Sequence, residues 1–256
     1  MPRLVRPDGC RLAYRVLGRR GRPPLVLLPG LGDDLRGWRR NLPHLSAELR
    51  VVGCELRGSG GSDGPEGPVT IRTFVEDTVA VLDELGIDRA HVYGHSLGGM
   101  VAQELALERP ERVRSLVLGA THPGGPHAVR PRTPVPKDRP ELALYAPAFV
   151  AQHPEHVRED LRAQAATRRP GAGRLQWQAI QGFDAFDRLP ELAAPTLVLH
   201  GTEDRLVDPA NARLLAARIP DAELVLLEGA GHRYQSERPE RADRVVLDFV
   251  GRHADA

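Results

Sequence analysis

The sequence predicts an α/β fold in which a mostly parallel central sheet is flanked by helices and interrupted by a helical insertion. Short, continuous apolar runs such as residues 25–28 alternate with segments of helical spacing, and such runs are typical of strands buried on both faces of a parallel sheet. These runs stop near Thr121 and resume only at Pro195, which indicates that a helical segment interrupts the sheet.

The predicted elements follow from these local patterns. The predicted strands are short apolar runs bounded by turn residues, at 12–17, 25–28, 51–54, 115–118, 195–201 and 223–227, with a further strand that ends at Gly94. The predicted helices carry apolar residues three or four positions apart, at 38–49, 70–86, 97–108 and 239–250, and further helical stretches fall within 140–189. Thr70 is the predicted cap of the second helix, which ends at Gly86.

The chain of 256 residues is long enough for one large domain with an inserted lobe. We therefore predict a core formed by residues 1–120 and 189–256, and a helical insertion at 121–188.

Composition narrows the class of protein. The net charge of +1 gives no basic excess that would favour nucleic acid or an anionic membrane as a partner. The chain has neither an N-terminal signal-like stretch nor an apolar run of about 18 residues, so we expect a cytoplasmic protein. Cys10 and Cys54 form no metal or redox spacing, and no cluster of His, Asp or Glu suggests a metal. The sequence thus predicts no metal or cofactor, and it does not indicate an oligomeric state.

The segment Gly94-His95-Ser96-Leu97-Gly98 matches G-x-S-x-G, a sharp strand-to-helix turn that exposes a serine hydroxyl above a sheet. Gly94 and Gly98 are required because side chains there would collide with the neighbouring strand and helix. The turn also places Ser96 at a helix N-terminus, which favours developing negative charge. A turn serine without chemical function also fits this motif. Whether Ser96 is a nucleophile therefore depends on an acid and a base elsewhere in the chain.

A serine hydroxyl needs a base to become a nucleophile, and the base needs an acid that orients it. Because functional groups cluster beyond the carboxyl ends of parallel strands, the candidates are Asp204 and His232, which follow the last two predicted strands. Glu203 is a competing acid, and Asp208 is better explained as a loop residue. Residues 119–122, after an earlier strand, offer no carboxylate. The chain order Ser, Asp, His is the one expected for this architecture.

An oxyanion hole requires two backbone N–H groups. One candidate is Leu97, the residue after the nucleophile, and the other is Leu31, in the loop that follows the strand at 25–28. Backbone donors do not depend on the side chain, which explains how leucines serve here.

The motifs along almost the whole chain resemble those of the α/β-hydrolase superfamily. They are Leu-Leu-Pro-Gly-Leu-Gly at 27–32, Leu-Arg-Gly-Ser-Gly-Gly-Ser at 56–62, Gly-His-Ser-Leu-Gly-Gly at 94–99, Pro-Thr-Leu-Val-Leu-His-Gly-Thr-Glu-Asp at 195–204 and Gly-Ala-Gly-His at 229–232. Two positions depart from the superfamily pattern. Pro29 stands where a histidine that braces the oxyanion loop is usual, and Glu55 stands where an aspartate is usual.

The resemblance implies that Ser96 is the nucleophile, Asp204 the acid and His232 the base, and that the insertion at 121–188 is a helical cap over the active site. A serine at the elbow separates the chain from relatives that use a nucleophilic aspartate. Residues 177–184 look like the return from cap to core in the enol-lactonase-like and cofactor-free haloperoxidase-like branches.

The expected activity is hydrolysis of a carboxylic ester, lactone or thioester of a small molecule through an acyl-enzyme. The alternatives are a non-hydrolytic or C–C bond-cleaving enzyme with the same triad, and a small-molecule receptor with residual hydrolysis. Candidate substrate-binding residues are Trp38, His122, Phe149, Trp177 and Phe183. Packing between cap and core explains the aromatic members of this set equally well.

Overall fold

The computed structural model describes residues 1–64, 67–166 and 171–254, and within them the chain forms one eight-stranded sheet. The strands are β1 (Arg3–Val5), β2 (Arg11–Leu17), β3 (Pro24–Leu28), β4 (Arg50–Cys54), β5 (Ala90–His95), β6 (Val113–Gly119), β7 (Thr196–Gly201) and β8 (Glu223–Leu227). Their order across the sheet is β1-β2-β4-β3-β5-β6-β7-β8. The β1–β2 and β2–β4 pairs are antiparallel and the other pairs are parallel, which confirms the predicted mostly parallel sheet.

Helices cover both faces of this sheet. The helices of the described residues are α1 (Leu42–Glu48), α2 (Ile71–Glu84), α3 (Leu97–Glu108), α4 (Pro147–Gln152), α5 (Pro154–Ala165), α6 (Ala172–Gln181), α7 (Ala210–Arg218), α8 (Tyr234–Glu237) and α9 (Pro239–Arg252). Alternate residues of β3 pack into two separate cores because successive strand side chains point to opposite faces. Val26 and Leu28 join the core that includes α2 and α3, whereas Leu25 and Leu27 join the core that includes α9. This double burial explains the continuous apolar run at 25–28.

The predicted helix at 38–49 is wrong in extent. The structure has a 3-10 turn at Leu35–Trp38, a break, and then the short helix α1. Pro43 lies in the first turn of α1, the part of a helix that tolerates a residue without an N–H group.

The strand β1 and the helices α7 and α8 were not predicted. Thr70 caps α2 as expected, and its side chain and that of Thr73 bond reciprocally to each other's backbone N–H.

The segment between β6 and β7 holds α4, α5, α6 and 3-10 turns, and its described residues contain no strand. Its two ends meet beside the sheet, where Gly125 N donates to Phe183 O at 2.9 Å and Ala185 N donates to Pro123 O at 2.8 Å. The division into a core and a cap at 121–188 stays a prediction. No helix in the described part of the chain is long and apolar enough to cross a membrane.

Candidate active site

The turn from β5 into α3 holds Ser96 in a conformation that non-glycine residues rarely adopt, with φ 55° and ψ −116°. Close backbone approaches on either side force this turn. A Cβ atom on Gly94 would lie 2.1 Å from Gly98 O, and one on Gly98 would lie 2.0 Å from Leu28 O. Since no side chain fits at either position, both glycines are required where the motif places them.

Leu31, one of the two predicted oxyanion donors, lines a cavity that also includes Ser96. This cavity has a volume of about 450 Å³, and Gly30, Leu31, Ser96 and His232 line it. A Cβ on Gly30 would lie 3.3 Å from the Ser96 Cβ, so the loop after β3 packs directly on the serine. Leu97 is the first residue of α3, and its N–H therefore lies outside the intrahelical hydrogen bonds.

Asp204 and His232 follow β7 and β8, and the structure brings their side chains together. His232 Nδ1 lies 2.8 Å from Asp204 Oδ2, and both residues are buried. The alternative acid, Glu203, is exposed. His232 lines the same cavity as Ser96, although no hydrogen bond joins the Ser96 hydroxyl to His232 in this structure. Ser96 and His232 thus line one cavity, and Asp204 lies behind His232, in contact with its Nδ1.

The Asp204 carboxylate accepts four hydrogen bonds, about as many as a carboxylate can. Leu206 N and Val207 N donate to Oδ1 at 2.8 and 2.9 Å, and His200 Nε2 and His232 Nδ1 lie 2.9 and 2.8 Å from Oδ2. Burial alone would raise the pKa of Asp204, but the neighbouring His232 and the hydrogen bond from His200 hold it well below the usual value. An ionised Asp204 accepts the Nδ1 proton of His232, which leaves Nε2 free to take a proton.

His95, inside the elbow, holds the backbone of the candidate base. Its Nε2 donates to His232 O at 2.9 Å, and the two rings meet edge to face with centroids 4.8 Å apart. Burial lowers the pKa of His95 well below the ordinary value, so the ring is neutral. The structure thus gives His95 a positioning role, since its ring holds the carbonyl group of His232.

A buried ion pair that no sequence motif predicts links the oxyanion loop to the loop of the candidate base. Arg233 Nη2 donates to Asp33 Oδ2 at 2.7 Å, and the two residues are 3% and 6% exposed. Asp33 lies two positions after Leu31, and Arg233 directly follows His232, so the pair links the two loops that border the cavity. No sequence spacing signals it, because the partners are 200 residues apart.

Gln176 also contacts the oxyanion loop, from α6. This fully buried side chain accepts from Gly32 N at 2.9 Å and donates to Arg57 O at 2.7 Å and to Ser59 Oγ at 3.1 Å. Three polar groups of two core loops are therefore satisfied by one side chain of the inserted segment. The only sequence signal for this contact is a glutamine on the buried face of an amphipathic helix.

In the Gln176→Met variant, Gly32 N and Arg57 O lose their hydrogen-bond partners. This change should lower kcat of the expected hydrolysis about tenfold and the free energy of unfolding by about 2 kcal/mol. Steady-state kinetics and urea denaturation measure the two effects. The matched control is Gln178→Met on the exposed side of α6. Equal effects of the two substitutions would show that the Gln176 hydrogen bonds do not position the loop.

Glu237, in α8, holds the loop before His232. Its Oε1 accepts from Ala146 N at 3.1 Å and from Gly231 N at 2.9 Å, whereas the buried Oε2 has no partner among the described residues. Burial raises the pKa of Glu237 to about 7, despite the two N–H groups that favour its ionised form.

This raised pKa predicts how stability changes with pH. Between the ordinary carboxyl value of 4.5 and about 7, the folded state binds more protons than the unfolded state, so stability falls as pH rises through this range. From pH 5 to 8, the free energy of unfolding of the wild type should fall by about 1–3 kcal/mol more than that of Glu237→Gln. Denaturant titrations at both pH values test this. Equal pH dependence in the two proteins would contradict it.

The predicted substrate-binding residues separate into two groups. The first group is Trp38, Phe149 and Phe183, which are at most 5% exposed and do not line the cavity at Ser96. The structure therefore places these three side chains in interior packing and not at the predicted substrate site. Trp38 packs edge to face on Tyr93, with centroids 4.6 Å apart. His122 and Trp177 line a second cavity, between α6 and the loop that follows β7.

The chain belongs to the α/β-hydrolase family, described as alpha/beta hydrolase fold, which matches residues 23–167 and 158–239. It is 32% identical to the "Putative carbamate hydrolase RutD" of Azorhizobium caulinodans over 243 residues, which cover 89% of this chain and 91% of that protein. The enol-lactonase from Burkholderia xenovorans LB400 has a similar structure, with a TM-score of 0.87, 29% identity, and coverage of 98% of this chain and 100% of that chain. Est816, an N-acyl homoserine lactone degrading enzyme, has a TM-score of 0.83, 28% identity, and coverage of 97% and 100%.

Proposed function

We propose that the protein is a serine hydrolase that cleaves a carboxylic ester, lactone or thioester of a small molecule through an acyl-enzyme. The observation that carries the proposal is the 2.8 Å contact between His232 Nδ1 and Asp204 Oδ2, beside a cavity that His232 shares with Ser96. Relatives named as a carbamate hydrolase, an enol-lactonase and a lactone-degrading enzyme support attack on an acyl carbon.

In the first half-reaction, Ser96 Oγ forms a bond to the substrate carbonyl carbon while His232 Nε2 takes the hydroxyl proton. Asp204 stabilises the resulting imidazolium. The carbonyl oxygen becomes an oxyanion, and the N–H groups of Leu31 and Leu97 donate to it. The bond to the leaving oxygen or sulfur then breaks, and that atom receives the proton from His232.

In the second half-reaction, His232 removes a proton from a water molecule, and the water oxygen attacks the acyl carbon. The bond to Ser96 Oγ breaks, the serine regains the proton, and the carboxylic acid leaves. Hydrogen bonds of an unliganded site often tighten only when substrate binds. A rotation of the Ser96 side chain towards His232 Nε2 is therefore part of the proposal.

The test is hydrolysis of a panel of small esters, lactones, thioesters and carbamates by the purified protein. We expect turnover of at least one oxygen ester or lactone, with release of the free acid. Two outcomes would overturn the proposal. Cleavage of a 1,3-diketone offered beside the panel, without turnover of any panel member, would favour the alternative enzyme class, and tight binding without release of acid would favour a receptor.

A further inference from the structure

A second cavity lies beside the one that contains Ser96. Its volume is about 840 Å³, and it lies between the residues that follow β6, helix α6 and the loop that follows β7. We call it the distal groove and define it by His122, Arg130, Trp177, Ile180, Arg205 and Leu206. Both cavities fall within the size range of small-molecule sites, about 300–1,000 Å³.

Leu206 connects the two cavities, since it lines both of them. It is held in place by its backbone, because Leu206 N donates to Asp204 Oδ1 at 2.8 Å. A substrate whose acyl carbon lies at Ser96 would therefore reach the distal groove by passing Leu206.

The distal groove exposes apolar side chains that burial would favour. Trp177 is 54% exposed and Leu206 is 43% exposed, and both line this groove. The other exposed large apolar side chains in the described chain are Met1, Val5 and Val16, far away in sequence at the N-terminal strands. Exposed apolar residues that cluster at one groove are typical of a binding site.

The charges of the groove are of one sign. Arg130 and Arg205 line it and form no ion pair with the described residues, whereas no described carboxylate lines it. His122 adds no charge near neutral pH, because burial lowers its pKa to about 4. An anionic group is thus favoured in the groove and a cationic group is disfavoured.

From this geometry we infer that the distal groove binds the far part of an extended acyl substrate, an aliphatic chain with an anionic end. The chain passes Leu206 and packs on Trp177 and Ile180, and a terminal carboxylate lies near Arg130 and Arg205. This inference rests on the proposed function, because it places the substrate carbonyl at Ser96.

The test compares kcat/KM for 4-nitrophenyl butyrate, 4-nitrophenyl decanoate and the mono-4-nitrophenyl ester of decanedioic acid. The decanoate should exceed the butyrate by about tenfold, because added methylenes become buried. The anionic ester should exceed the decanoate by about threefold at low ionic strength, and added salt should reduce this preference.

Two variants locate these preferences. Trp177→Ala should lower the decanoate-to-butyrate ratio at least threefold, and Gln178→Ala is the control. Arg130→Gln combined with Arg205→Gln should abolish the preference for the anionic ester. Its control is Arg213→Gln combined with Arg241→Gln, since both of these arginines are exposed and lie outside the groove. Ratios cancel any general loss of activity.

Hydrolysis of the butyrate without a length or charge preference, or preferences unchanged by the groove variants, would overturn this inference and leave the proposed function intact. If none of the three esters is hydrolysed although a lactone or thioester is turned over, the inference is overturned and the proposed function stands. Absence of turnover with every ester, lactone and thioester would count against the proposed function, and the inference would fall with it.

Discussion

Replacement of Ser96 by alanine should lower kcat for ester hydrolysis by roughly 10⁴- to 10⁶-fold. The hydroxyl is the only atom group removed, and the acyl-enzyme cannot form without it. Because alanine has a Cβ like serine, the strained turn at φ 55° is as accessible to the variant as to the wild type. Steady-state kinetics measure the loss, and circular dichroism checks the fold.

A matched control is Ser46→Ala in α1, a partly buried serine outside the cavity. It should keep kcat within about twofold of the wild type, as is usual for substitutions away from a site. A Ser96→Ala variant that retains more than a hundredth of the wild-type kcat would show that hydrolysis does not pass through Ser96.

Asp204→Asn should lower kcat by about 10³- to 10⁴-fold. Asp204 Oδ2 lies between two donors, His200 Nε2 and His232 Nδ1. An asparagine has one acceptor oxygen and one NH₂ group, so it cannot accept all four bonds of the carboxylate. It also carries no charge to stabilise a protonated His232. The base would then adopt the wrong tautomer and lose its electrostatic support.

The control for this substitution is Glu203→Gln, which changes the exposed carboxylate beside Asp204. Its kcat should stay within about twofold of the wild type. Thermal unfolding of both variants separates a catalytic loss from a folding loss. A Glu203→Gln variant that loses as much activity as Asp204→Asn would reverse the choice between these two acids.

Local patterns were sufficient to predict most of the sheet and the contact between Asp204 and His232. The run at 25–28 identifies a strand without knowledge of its partners, because both faces of that strand are buried. The Gly94 and Gly98 positions identify a sharp turn for an equally local reason, the close approach of backbone. Because neighbouring strands are parallel, the residues that follow their carboxyl ends lie at the same edge of the sheet.

Other features depend on contacts between distant residues, and the sequence did not predict them. Gln176 bonds to Gly32 across 144 positions, and Arg233 bonds to Asp33 across 200. Trp38 lies near the oxyanion loop in the sequence, but its aromatic side chain points into the core, where it packs on Tyr93. Whether an aromatic residue faces a cavity or a core is decided by its neighbours in space.

The most direct test of Ser96 as the nucleophile is mass spectrometry of the protein after reaction with a fluorophosphonate probe. We expect one covalent adduct, mapped by peptide digestion to Ser96, absent from the Ser96→Ala variant and still present in Ser46→Ala. A folded wild-type protein that forms no adduct, or one whose adduct maps to another residue, would contradict the assignment of Ser96 as the nucleophile.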